Sequence, residues 1–341
     1  MIIHLILLLT GIVFLIKGSG LFVKSGALIA KKFHVSEFII GLTLIALGTS
    51  LPELISSVIA SSRKQSSLVL GTIIGANIAN LTLIIGVASL INPIKVKKQV
   101  LRRDGYMIFF TGILLVLFSL DKNISRIEGA VFLLIFIAYN LFLSYSVKRI
   151  KGDYNFKEFI EYFFKFQYLS PIKHGIFLNL SKKYNHLHLH KKNILKSLIF
   201  LIVGGLLIYL GASIVVSKAI FFANYFQASV FLIGVLISIG TTLPELSVSI
   251  SASRKKLGNI AIGNSLGSCI TNILLILGIS SIIFPITFVT SKIYFSLGFL
   301  IFFSAIVLMF IRTDYKIKRI EGIFLISSYL IFLTLLLLGI L

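Results

Sequence analysis

With 57% hydrophobic and 13% charged residues and a mean hydropathy of +1.03, this 341-residue chain is too apolar for a water-soluble domain, which needs a polar shell. Its net charge of +22 would suit a nucleic-acid binder, but the basic residues fall between long apolar runs, where they set membrane orientation instead. A single cysteine, Cys269, excludes an internal disulfide and any cysteine-rich metal site.

Predominantly apolar segments long enough to cross a bilayer recur throughout the chain. The first, 2–23, has the apolar character of a signal peptide. It lacks a basic leading region and a small-x-small cleavage site, so it is read as the first span. Spans at 37–61, 68–91, 105–120 and 128–147 complete a first unit, residues 1–147. A basic stretch, 148–194, follows, and spans at 195–219, 229–253, 259–284, 290–311 and 320–340 form a second unit, 195–341. The expected fold is all-α and polytopic, with ten transmembrane helices. Within the basic stretch, "NFKEFIEYFFKFQYL" interleaves aromatics with lysines and predicts a short helix that can lie on the membrane surface. The alternating His186, His188 and His190 read as solvated loop sequence rather than a metal site or pH sensor, and His34 reads as an interfacial side chain.

With the N-terminus outside, 27 of the 33 Lys and Arg residues fall in or beside the odd-numbered loops. That asymmetry places those loops in the cytoplasm and both termini on the non-cytoplasmic side of the cell membrane.

Shifting the sequence by 192 residues superposes the two units without a gap. Gly48, Thr49, Leu51, Pro52, Glu53 and Leu54 fall on Gly240, Thr241, Leu243, Pro244, Glu245 and Leu246. The register continues through Gly71/Gly263, Gly75/Gly267, Asn80/Asn272 and Gly86/Gly278. Five spans per unit make the second unit enter the membrane from the opposite side. Such inverted repeats are the architecture of secondary transporters, with the binding site at the interrupted segments near the midplane.

Of the 11 carboxylates, only Glu53 and Glu245 lie deep in spans, and they occupy the same repeat position. A charged side chain there costs at least ~2.5–3.5 kcal/mol, so each needs a compensating partner. Every Lys or Arg within a span lies near its end, where it snorkels to the interface, which leaves a bound cation as the partner. Pro52 and Pro244 are expected to free the carbonyls of Gly48 and Gly240, with Ala46, Thr49, Ser238 and Thr241 close by. The hydroxyls of Thr49, Ser50, Thr241 and Thr242 add further hard oxygens, which suit Ca²⁺ better than zinc or copper. The next span of each unit, "GTIIGANIANLTLIIG" and "GNSLGSCITNILLILG", offers Asn80 and Asn272 as neutral oxygen donors. Asn77, Asn264 and Ser268 either join them or hydrogen-bond neighbouring helices.

These paired motifs closely resemble the two alpha repeats of sodium/calcium exchangers, within the calcium/cation antiporter superfamily, and the resemblance spans essentially the whole chain. It implies Glu53 and Glu245 as central ligands shared by Ca²⁺ and Na⁺. Thr49, Ser50, Thr241 and Thr242 would line the sites, with the backbone oxygens of Ala46 and Ser238 beside them. Asn80, Asn272 and Ser268 would complete the cage, and the first and sixth spans would slide past the core. Two departures stand out. Asn272 replaces an Asp common in the family, and Ala76 replaces a usual Ser. Two formal charges then balance one Ca²⁺ or two Na⁺, and a third Na⁺ would leave uncompensated charge.

The expected activity is therefore Na⁺/Ca²⁺ antiport, with proton-coupled cation antiport as the alternative. No prosthetic group, phosphate loop, nucleophile–base arrangement or nucleic-acid motif is expected, so the chain is not read as an enzyme. A passive channel would need no counter-ion, and an intramembrane hydrolase would need a water-activating geometry. One chain holds the symmetry that alternating access requires, so it is expected to work as a monomer in the bilayer.

Overall fold

The computed structural model describes residues 1–32, 46–148, 155–169, 191–288 and 291–339. His34, Glu37 and the run containing His186, His188 and His190 lie outside the described residues. The first unit opens with α1 (Ile2–Lys32), followed by α2 (Ala46–Thr49) and α3 (Leu51–Ser62). Next, α4 (Ser66–Ala79) passes through a π-helical segment, Asn80–Ile84, into α5 (Ile85–Ile91). Strand β1 (Ile94–Lys95) leads to α6 (Lys98–Val100), a π-helical turn at Leu101–Gly105, and α7 (Tyr106–Phe118). β2 (Asn123–Ile124) and α8 (Arg126–Lys148) close the unit. In the basic stretch lies α9 (Phe156–Phe164).

The second unit repeats the plan: α10 (Lys191–Tyr225), α11 (Val230–Thr241), α12 (Leu243–Arg254) and α13 (Gly258–Thr271). A π-helical segment, Asn272–Leu277, joins α13 to α14 (Gly278–Ile283). β3 (Ile286–Thr287), α15 (Ser291–Asp314), β4 (Lys316–Ile317) and α16 (Arg319–Leu337) complete it. Seven helical segments among the described residues are long and apolar enough to cross a membrane, and the bent pair α11–α12 makes an eighth. Of the expected span 37–61 the described residues hold α2 and α3, and the expected span 105–120 appears as the shorter α7.

The strands tie the halves together. β1 pairs antiparallel with β4, and β2 with β3, so each pair joins one strand from each unit. Exchanging the units turns one pair into the other, as a pseudo-two-fold requires. A paired loop must lie on the same side of the membrane as its partner. An even number of crossings must therefore separate the two strands of each pair.

Burial separates a core from a rim. The span containing α4 and α5 is 94% buried and that containing α13 and α14 is 72% buried, against 22% for α1 and 33% for α10. α1 and α10 pack on one another antiparallel, and glycines set their closeness. A Cβ on Gly18 would meet the Gly204 carbonyl oxygen at 2.8 Å, and one on Gly211 would meet that of Gly11 at 2.7 Å. Small residues let helix backbones approach where lipid supplies no hydrophobic drive.

The helix expected in the basic stretch forms. Its N-cap, Asn155, accepts from the Glu158 amide at 3.1 Å. Phe159 and Tyr162 are buried against Tyr139 and Phe142 of α8, while Phe164 remains exposed. Beneath it, Arg103 holds Asp104 through two bonds of 2.8 and 2.9 Å, and the Tyr139 hydroxyl donates to the same carboxylate.

A candidate cation site between the two repeats

Both Pro-containing spans are broken, and the breaks match in the two units. Ser50 (φ −88°, ψ 8°) separates α2 from α3, and Thr242 (φ −83°, ψ 4°) separates α11 from α12. The prolines stand in the first turn of the following half-helix, where their missing N–H costs nothing. The sequence expectation of bare carbonyls at Gly48 and Gly240 is thereby modified, since the helix restarts rather than kinks. Gly48 is not bare at all, because its carbonyl accepts from Ser19 of α1 at 2.5 Å. Ser19 was not anticipated, and a lone serine between two glycines gives little signal.

Each new half-helix carries its glutamate in the first turn, Glu53 in α3 and Glu245 in α12. There the positive end of the helix dipole favours a carboxylate by roughly 0.3–1 kcal/mol, far less than burial costs it. Both residues are only 1% exposed, and they lie close enough to feel one another's charge.

The surrounding hydroxyls divide unevenly. Ser50 approaches Glu245 Oε1 at 3.4 Å and Ser268 Oγ at 3.3 Å, and Ser268 reaches Oε1 at 3.5 Å. Thr49 also stands on Glu245, and Thr241 lies near Glu53 without a hydrogen bond of good geometry to it. Thr242 turns away, donating to the Ser238 carbonyl at 2.9 Å, which Thr241 also reaches at 3.3 Å. Ala46 opens α2 on the approach to the first break.

Asn80 and Asn272 are the first residues of the two π-helical segments, an irregularity frequent at functional sites. Asn80 Nδ2 donates to the Ala76 carbonyl at 2.9 Å, and Asn272 Nδ2 donates to Asn77 Oδ1 at 2.9 Å. Asn264, left open by the sequence, is a supporting residue, bonding the Glu245 carbonyl and Ser249 Oγ at 3.2 Å each.

Among the described residues on the broken spans and the spans that follow them, five buried carboxylate and amide oxygens have no donor: both of Glu53, Oε2 of Glu245, and Oδ1 of Asn80 and of Asn272. Buried acceptors are normally paired, and each one left unpaired costs about 1–3 kcal/mol or more. Three of these oxygens belong to two carboxylates and two to amides, the hard-oxygen chemistry that suits a cation such as Ca²⁺.

A membrane protein of two repeats, each with a buried glutamate where a broken helix restarts, is a secondary cation transporter. The chain belongs to the sodium/calcium exchanger protein family, which matches it twice, over residues 3–145 and 196–338. It is 41% identical to the sodium/calcium exchanger MaX1 of Methanosarcina acetivorans, over 98% of both chains. It is 31% identical to the putative antiporter CaxA of Alkalimonas amylolytica, over 84% of this chain and 82% of that one. Among solved structures it matches the sodium-calcium exchanger NCX_Mj soaked with Na⁺ and Sr²⁺. That match has a TM-score of 0.60 and 29% identity and covers 97% of each chain.

Proposed function

We propose that this chain exchanges Na⁺ for Ca²⁺ across a cell membrane by alternating access, at a site built on Glu53 and Glu245. The observation that carries the reading is the set of five unpaired buried acceptor oxygens. One Ca²⁺, or Na⁺ ions in its place, would satisfy those oxygens, and competition for the same carboxylates would couple the two fluxes. Thr49, Ser50, Thr241, Thr242 and Ser268 would supply further oxygens, with backbone oxygens of Ala46 and Ser238 as the ions shift between subsites. Ten spans in two inverted units, 1–147 and 195–341, would place the site near the midplane. The basic 148–194 segment would lie in the cytoplasm and both termini outside. One chain would suffice, working as a monomer.

The rim pair α1–α10 is the natural moving part, because glycine contacts join it internally and it is far less buried than the spans of α4–α5 and α13–α14. The deciding experiment is ⁴⁵Ca²⁺ uptake into Na⁺-loaded proteoliposomes. Uptake is expected only with an outward Na⁺ gradient. Uptake indifferent to Na⁺ but driven by a pH gradient would replace this reading with proton-coupled antiport.

A further inference from the structure

We propose that Asn77 is a positioning residue: it decides which end of the Asn272 amide faces the cation site. The chain of contacts starts from a backbone carbonyl, a group that can only accept. Asn77 Nδ2 donates to the carbonyl of Cys269 at 3.4 Å. That bond turns Asn77 Oδ1 the other way, where it accepts Asn272 Nδ2 at 2.9 Å. With its NH₂ group engaged, Asn272 presents Oδ1, which is buried and has no donor. The polarity of one backbone carbonyl is thus relayed through two amides to the site. Reversing either amide would aim an N–H₂ dipole at the cation, and the ligand would become a repulsive group.

The equivalent residue in the other unit does not need this help. Asn80 spends its Nδ2 on Ala76 in its own helix, one turn back. Asn272 instead reaches into the opposite unit. Residues 77 and 269 are equivalent under the repeat and touch each other in both directions, since Cys269 Sγ also approaches the Asn77 carbonyl at 3.6 Å. The pseudo-two-fold axis therefore passes between an asparagine and a cysteine, and only the asparagine can orient an amide. A carboxylate at position 272 would offer an oxygen in either orientation. Asn77 matters because position 272 is an amide.

This positioning role rests on the site being the Ca²⁺ site, and the test separates the two claims. Purified protein in detergent would be titrated with Ca²⁺ by calorimetry, beside Na⁺-gradient-driven ⁴⁵Ca²⁺ uptake. Asn77→Leu is expected to weaken Ca²⁺ binding by about tenfold or more, the usual cost of losing a residue that orients a ligand. The double variant Asn77→Leu/Asn272→Asp is expected to recover most of that loss, because a carboxylate at position 272 needs no orienting partner. Asn77→Ala replaces the leucine variant if that protein is not monodisperse. Unchanged affinity without Asn77, or a double variant as weak as the single one, would overturn the positioning role while leaving the site intact. Absence of Ca²⁺ binding by the unmodified protein would overturn the site and this inference together.

Discussion

The two glutamates share a motif, a repeat position and a depth of burial, yet their surroundings differ. Ser50, Ser268 and Thr49 gather on Glu245, whereas Glu53 has only Thr241 nearby and neither of its oxygens accepts a hydrogen bond of good geometry. The difference has two local causes. Thr242, the counterpart of Ser50, spends its hydroxyl on the Ser238 carbonyl, and Ala76, the counterpart of Ser268, has no hydroxyl to give. A repeat supplies a template, and single side chains then decide how far the halves are equivalent. Neither half is complete alone, since Ser50 of the first unit serves the glutamate of the second. The flanking helices differ as well. Ile55 and Ile59 of α3 are partly buried, and α10 packs along that helix. Ser247 and Ser251 of α12, with Lys255 just beyond its end, instead line an open groove of about 370 Å³.

The most severe way to break the comparison is to neutralise one member. Glu53→Gln and Glu245→Gln are each expected to abolish Na⁺-dependent Ca²⁺ uptake, because losing one partner of a buried charge interaction costs about 3–5 kcal/mol. Thermal melts would distinguish loss of the site from loss of the fold. Ca²⁺ at about a hundred times its dissociation constant should stabilise the unmodified protein by about 2.7 kcal/mol, and neither Gln variant should respond.

A smaller effect is expected at the rim. Gly18→Leu would drive a side chain into the Gly204 oxygen and the Ile208 nitrogen, both backbone atoms that cannot yield. Overpacking of this kind costs about 1–3 kcal/mol, so the melting temperature in detergent should fall and transport with it. Gly20→Leu, two residues on at an exposed position with open space around it, should leave both unchanged.

The flanks should differ in accessibility. Cys269 is fully buried, so the native thiol gives a quiet background for labelling. A cysteine placed by Ser251→Cys should react with a polar maleimide about tenfold faster than one placed by Ile59→Cys. The latter is protected as long as the packed region does not open locally. Arg63 bonds Ser213 and Ser217 of α10 at 2.7 Å each, so adding Arg63→Ala should raise labelling at position 59. Equal rates in all three proteins would mean that the asymmetry of the flanks does not persist in the membrane.

The glutamate pair, the repeat and the broken spans were legible in the sequence because each is a local anomaly in an apolar run, reinforced by a second copy. Pro52 and Pro244 marked the breaks to within two residues, with the chain restarting its helix at Leu51 and Leu243. What stayed hidden depends on partners distant in the chain. Nothing near Gly48 announces that Ser19 will take its carbonyl, or that Gly11 and Gly18 face Gly211 and Gly204. The strand pairs are two residues long, too short for any alternation to register. Asn77 could be named but not oriented, because its direction is fixed by a carbonyl in the other repeat.

The finest adjustment would make the halves more alike. Ala76 stands 23 residues after Glu53, as Ser268 stands 23 after Glu245, and Ser268 reaches its glutamate across that spacing. Ala76→Ser would therefore give Glu53 the hydroxyl that Glu245 has. Position 76 is fully buried, but serine adds only one oxygen atom, so the fold should absorb it. A single neutral hydroxyl contributes about 1 kcal/mol, which corresponds to about a fivefold change in apparent ion affinity. Ser268→Ala should weaken Na⁺ activation of exchange by about that factor, and Ala76→Ser should strengthen it by a similar one. Each is measured as the Na⁺ concentration giving half-maximal Ca²⁺ flux. If Ser268→Ala has its effect and Ala76→Ser has none, then the two glutamates handle different ions or different steps. The asymmetry around them would then be part of the exchange cycle rather than a tolerated lapse of the repeat.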